Sequence, residues 1–106
     1  MNLFGFFQKI DINRKIADLG NRPGAVLLDV RSDEEFRKGH IPGAVNIPVE
    51  QIADVERVIT DHELPVFIYC LRGTRSLRAA GAMKKLGYTN AESIGGIVSY
   101  KGELEK

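Results

Sequence analysis

The strongest constraint on the fold of this chain lies between Pro65 and Gly87. Val66-Phe67-Ile68-Tyr69 is a short, uncharged run of β-branched and aromatic residues, which predicts a buried strand. Cys70, the only cysteine, closes the run, and Leu71-Arg72-Gly73-Thr74-Arg75 follows it. From about Ser76 the period becomes helical. Ala79, Ala80, Met83 and Leu86 share one face, Arg78, Lys84 and Lys85 stay outside, and Gly87 marks the C-terminal end. Strand, tight loop and helix in this order place a thiol at the mouth of a helix N-terminus.

That position carries chemistry. The free N–H groups of a first helical turn and the helix dipole both favour an anion, so the Cys70 thiol is expected to ionise more readily than a free one. Arg72 and Arg75 add positive charge within a few residues of the sulfur. Gly73 lets the loop curl so that successive amides point inward as an anion nest. An inert cysteine that merely fills space is the alternative. Packing alone does not explain two arginines and a glycine in the next five residues.

Around this unit, strands and helices alternate. Asp11 is placed to cap a helix with Ile12, Ile16 and Leu19 on one face and Gly20 at its end, and Asn21-Arg22-Pro23-Gly24 reads as a turn. Ala25 to Val30 is a near-continuous apolar run broken by Asp29, as in a strand covered on both faces. Ser32-Asp33-Glu34-Glu35 has the form of a capping box opening a short helix to Lys38. Ala44 to Ile47 allows only a short strand, and Ile52, Val55, Val58 and Ile59 predict another helix. Ala91 to Ile94 reads as the last strand, with Gly95-Gly96 as a turn into a short final helix. The expected fold is a single α/β domain: a parallel sheet of four or five strands with helices on both faces. Asp29 and Cys70 then fall at the carboxyl ends of their strands, the edge where such sheets bind ligands.

At 106 residues the chain is long enough for one core. We divide it into an apolar N-terminal arm, residues 1–9, and a domain over 10–106. The arm (Leu3, Phe4, Phe6, Phe7) has no basic start and no small-residue cleavage site, so it is not read as a secretory signal. It is too short to span a bilayer. Packing on the domain or on a second copy is expected, with a membrane or partner contact as the alternative. A net charge of +1 argues against nucleic-acid binding. A lone cysteine excludes an internal disulfide and a cysteine-rich metal site, and a free thiol fits a reducing, cytoplasmic setting.

Several segments together resemble a known family. Leu28-Asp29-Val30-Arg31, Glu35-Phe36, the run Gly39-His40-Ile41-Pro42-Gly43-Ala44-Val45-Asn46-Ile47-Pro48, the Cys70 loop and Gly95-Gly96 are similar to the motifs of single-domain rhodaneses, in the family's order. Tyr100 stands where the family's closing motif often has tryptophan. The resemblance implies a rhodanese-like fold and a sulfurtransferase. Cys70 would take sulfane sulfur as a persulfide from thiosulfate or a persulfide donor, and the loop Leu71, Arg72, Gly73, Thr74 and Arg75 would bind substrate. The acceptor would be cyanide, a thiol or a protein, with no metal or organic cofactor required.

Two rivals share such a fold. A cysteine phosphatase of the dual-specificity type has one residue more between its cysteine and arginine than the four that separate Cys70 from Arg75. A non-enzymatic or persulfide-carrying interaction module is the other, although modules without activity commonly lose the cysteine. Among the remaining polar residues, His40 is read as a hydrogen-bonded part of its turn rather than a base for Cys70. Asp29 and Arg31 are read as a structural ion pair, and His62 as a solvated loop residue. Asp33, Glu34 and Glu35 are read as a helix start without metal-ligand spacing.

Overall fold

In the computed structural model, which describes residues 10–106, the strand predicted at the centre of the sequence is the centre of the sheet. The arm read over 1–9 lies outside the described residues. β3 (Val66–Cys70) is buried along its whole length, because a parallel strand covered on both faces has no solvent side. It pairs in parallel with β1 (Val26–Asp29) on one side and with β4 (Ala91–Gly96) on the other. β2 (Val45–Asn46) adds to the outer edge of β1. The order is β2-β1-β3-β4, four strands, all parallel.

Alternation along β3 divides the core into two layers. Val66, Ile68 and Cys70 join Leu28, Val55, Ala79 and Met83 on one face. Phe67 and Tyr69 join Ile12, Leu27, Ile41 and Ile94 on the other. The first face is covered by α4 (Thr74–Lys85), the second by α1 (Ile12–Leu19). Burying a side chain the size of Ile68 or Met83 contributes about 1.5–3 kcal/mol. Cys70 therefore projects into the layer that α4 occupies. Tyr100 packs against the α1 layer, in the place of the family's tryptophan.

The helix starts follow the sequence closely. Asp11 caps α1 by accepting the Asn13 N–H at 3.0 Å. Ser32 and Glu35 form a complete capping box at the start of α2 (Asp33–Lys38). No helix among the described residues is long and apolar enough to cross a membrane.

Three expectations need correction. The helix expected from Ile52, Val55, Val58 and Ile59 is a 3-10 turn (Val49–Asp54), interrupted at Gln51, followed by the single α-turn α3 (Val55–Val58). Val55 and Ile59 are buried in the core and Ile52 is half-buried against it. Val58, part of the expected apolar face, is exposed, and one buried side chain per turn over so short a span does not sustain a regular helix. Second, α4 begins at Thr74 rather than Ser76, because Gly73, at φ 116°, takes the N-cap position. Third, Gly95 and Gly96 are not a turn but the end of β4. The register slips there, so that Ser93 faces Ile68 while Gly95 faces Tyr69 and Gly96 faces Cys70. A bulge is a common place for glycine in a strand. The final helix is the 3-10 turn Ile97–Ser99.

Candidate active site

The carboxyl end of β3 and the first turn of α4 build a cradle around one sulfur. Gly73 turns the chain in the left-handed region and aims its own N–H at Cys70 Sγ, 2.9 Å away. The Ser76 N–H points to the same atom at 3.4 Å, and Ser76 Oγ lies 3.6 Å from it. The sulfur is 1% exposed, and that burial pushes its pKa up. Hydrogen bonds from the Ser76 hydroxyl and from the amides of Ser76, Gly73 and Arg72 push harder the other way, leaving the thiol below its ordinary value. What lowers it is a set of hydrogen-bond donors.

Cys70, Leu71, Arg72, Thr74 and Arg75 line a cavity of about 160 Å³. Gly73 stands behind it and supplies an amide. The loop residues singled out in the sequence are thus gathered at one place. A larger groove of about 610 Å³ runs past Ala80, Lys84, Tyr88 and Thr89, but its walls carry no thiol, imidazole or carboxylate. We take the smaller cavity as the site because the polarised sulfur opens into it.

The two arginines differ. Arg72 is exposed. Arg75 is held by Glu35, with Nη1–Oε1 at 2.7 Å and Nη2–Oε2 at 3.0 Å. The same carboxylate accepts the Ser32 N–H in the capping box, so one side chain ties the start of α2 to the cysteine loop. Sequence reasoning assigned Glu35 only the helix start. A contact across forty residues leaves no local signal.

Bonding to Arg75 is the main reason the Glu35 carboxyl is pushed down to about 2, from an ordinary 4.5. A carboxyl whose pKa falls on folding stabilises the fold above its ordinary value, and that contribution is lost as pH drops through the folded value. The wild type should therefore lose stability between about pH 4.5 and 2 more steeply than Glu35→Gln, as measured by thermal melting across that range. The effect should be modest, since both side chains are 32% exposed. Parallel curves for the two proteins would remove this pair from the pH dependence.

Asp29 and Arg31 form a buried ion pair, with Arg31 Nη2 at 2.8 Å from Asp29 Oδ2 and at 2.7 Å from the Gly39 carbonyl. Asn46 donates to the carbonyls of both Asp29 and Arg31. The Tyr69 hydroxyl accepts the Ile41 N–H. Together these bonds lock the Gly39–Pro48 segment to the strand ends, the structural role read from the sequence. His40 belongs to the same device: its Nδ1 meets the Phe36 carbonyl at 2.9 Å and its ring stacks on Phe36. It is not part of the cavity wall.

His62 is the partly solvated loop residue expected, with contacts of its own. Its ring stacks on buried Tyr88 at 4.0 Å, and Nε2 lies 3.1 Å from Glu56 Oε2. Among the described residues no three His, Cys, Asp or Glu side chains are gathered to hold a metal ion.

Residues 13–103, nearly all of the described chain, match the model of the Rhodanese-like domain. The chain belongs to the rhodanese-like family. This rhodanese-like domain is 39% identical over 82 residues to the uncharacterized protein YqhL of Bacillus subtilis, covering 76% of this chain and 64% of that one. It is 32% identical over 71 residues to the thiosulfate sulfurtransferase PspE of Escherichia coli, covering 66% of this chain and 68% of that one. Among solved structures it superposes on the human single-domain sulfurtransferase TSTD1 with a TM-score of 0.70 and 31% identity, covering 82% and 89% of the two chains. The domain spans about two thirds of the length of the two curated relatives. These likenesses establish a rhodanese-like fold and a place in the rhodanese-like family.

Proposed function

We propose that this domain transfers sulfane sulfur through a persulfide on Cys70, taking it from thiosulfate or a persulfide donor and passing it to a thiol or cyanide. The observation that carries the reading is the buried Cys70 sulfur, held in the Gly73 and Ser76 amides and open to a small cavity lined by two arginines. The lowered thiol pKa enlarges the thiolate fraction, and the thiolate is the form that attacks sulfur.

In the first half-reaction the Cys70 thiolate attacks the outer sulfur of thiosulfate. The new bond joins Sγ to that sulfur, the old S–S bond breaks, and its electron pair leaves with sulfite. Arg75 in the cavity wall and Arg72 at its rim offer positive charge where the sulfite charge develops. In the second, an acceptor thiolate or cyanide attacks the outer sulfur and Cys70 departs as a thiolate, which the amides receive. Double-displacement kinetics follow. A protein acceptor enters by the same step, and a free thiol suits a reducing compartment such as the cytoplasm.

The test is the intact mass of the protein after thiosulfate treatment, then after cyanide. A gain of one sulfur atom on Cys70, removed by cyanide, is expected. Folded protein with a titratable thiol that gains no sulfur from thiosulfate or from a persulfide donor would overturn the reading. Cysteine-dependent hydrolysis of an aryl phosphate would replace it with the phosphatase.

A further inference from the structure

Behind the Cys70 sulfur, on the side away from the cavity, two serines are buried against each other. Ser76 on α4 is 0% exposed and Ser93 on β4 is 6% exposed, and their hydroxyl oxygens lie 2.7 Å apart. Ser76 Oγ is also 3.0 Å from the Gly73 carbonyl, 3.4 Å from the Gly95 carbonyl and 3.6 Å from Cys70 Sγ. Ser93 Oγ accepts the Gly95 N–H at 3.4 Å.

Counting protons gives this cluster a direction. Each hydroxyl has one proton to donate and two lone pairs. Among the described residues, the Ser93 proton has a single side-chain or backbone acceptor within reach, Ser76 Oγ. A buried hydroxyl that fails to donate is costly, so the bond runs from Ser93 to Ser76. The Ser76 proton is then left for the Gly73 carbonyl, the more distant Gly95 carbonyl or the sulfur. The Gly73 carbonyl already receives the Leu77 N–H at 3.0 Å, and stays satisfied if the Ser76 proton turns away.

We propose that Ser93 is a positioning residue of this site, fixing the Ser76 hydroxyl as a donor to the Cys70 thiolate. When the sulfur is a thiol, its own proton points to Ser76 Oγ and the Ser76 proton rests on Gly73. When the sulfur is a thiolate, the Ser76 hydroxyl rotates onto it, with Ser93 still donating from behind. In a persulfide the charge moves to the outer sulfur and Sγ becomes a poor acceptor, so the hydroxyl returns to Gly73. The pair thus favours the thiolate over the loaded state. It assists the step in which Cys70 is the leaving group, a step set by the stability of the departing thiolate.

The other charged groups near the thiol are Arg72 and Arg75 on the loop, with Glu35 and Glu50 acting on Arg75. On β1, Asp29 is taken by Arg31, and on β4, Glu92 is paired with Lys15. Substituting Ser93 touches none of them. The catalytic consequence rests on the persulfide reading above; the ionisation consequence does not.

The experiment is the rate of Cys70 alkylation by iodoacetamide against pH, in folded wild type, Ser93→Ala, Ser76→Ala and the double variant. Ser93→Ala removes the bond that orients and polarises the Ser76 hydroxyl, and should raise the inflection by up to about half a pH unit. Ser76→Ala should raise it at least as far. The double variant should match Ser76→Ala alone, because Ser93 acts only through Ser76. Ser93→Thr, which keeps the hydroxyl, should return the inflection to the wild-type value. An unmoved inflection in folded Ser93→Ala, or additive shifts in the double variant, would overturn the proposal. If the alanine variant does not fold, Ser93→Gly decides by the same criterion. Alkylation reads the thiolate alone, so a protein that shows the shift yet never accepts sulfur would reject the proposed function and leave this inference standing.

Discussion

Cys70→Ser should abolish sulfur loading and turnover, by a factor on the order of 10⁴ or more, as removal of a covalent nucleophile does elsewhere. The hydroxyl fits the space and can receive the Gly73 and Ser76 amides that now hold the sulfur. The fold should therefore survive, and a thermal melt should show it. What is lost is ionisation: a serine hydroxyl is not ionised near neutral pH, and no base stands beside it, since His40 is committed to the Phe36 carbonyl and ring. The readouts are intact mass after thiosulfate and thiocyanate formation with cyanide. Sulfur transfer by the folded serine variant at anything near the wild-type rate would reject Cys70 as the carrier.

Gly96→Ala should damage the domain out of proportion to the single methyl it adds. A Cβ at Gly96 would fall against the Leu71 carbonyl and 2.5 Å from the Arg72 Cα. Both are backbone, and neither can rotate aside as a long side chain can. The loop must move, and overpacking of this kind costs about 1–3 kcal/mol. Activity should suffer more than stability. The displaced residues carry the Arg72 and Gly73 amides toward the sulfur, and a misplacement of about an ångström in such a site costs on the order of 10²-fold. Denaturant unfolding and the rate of persulfide loading measure the two losses. Gly81→Ala is the control: nothing lies within 4 Å of a Cβ there, and inside a helix the change should stabilise by about 0.5–1 kcal/mol. Loading by Gly96→Ala at the wild-type rate would mean that the loop is not held by this contact.

The contrast between these glycines shows what the sequence could convey. Gly73 was legible because its task is local: it lies between a strand and a helix, and only a reversal of the chain joins them. The capping box of Ser32 and Glu35 and the pairing of Asp29 with Arg31 were legible for the same reason, each made within three residues. Gly96 was misread as a turn because its reason is a backbone that approaches from a different loop. Ser93 carried no signal at all: one serine in a short strand is unremarkable until β4 is laid beside β3 and α4 packs over both. Glu35 was half-read, its cap visible and its grip on Arg75 not. The fold follows from periodicities of two and of three to four residues, which need only neighbours. The fine structure of the site depends on where distant segments meet.

The depth at which Cys70 lies separates two kinds of access. At 1% exposure Cys70 lies at the floor of a small cavity, poorly placed for the successive oxidations that destroy exposed thiolates. A sulfur atom bonded to it would stand about 2.05 Å further out, nearer the rim where Arg72 and Thr74 meet solvent. The cargo, and not the residue that carries it, would be the atom a partner touches. A domain built this way can stay intact while empty and become available only when charged, with the length of a single covalent bond making the difference.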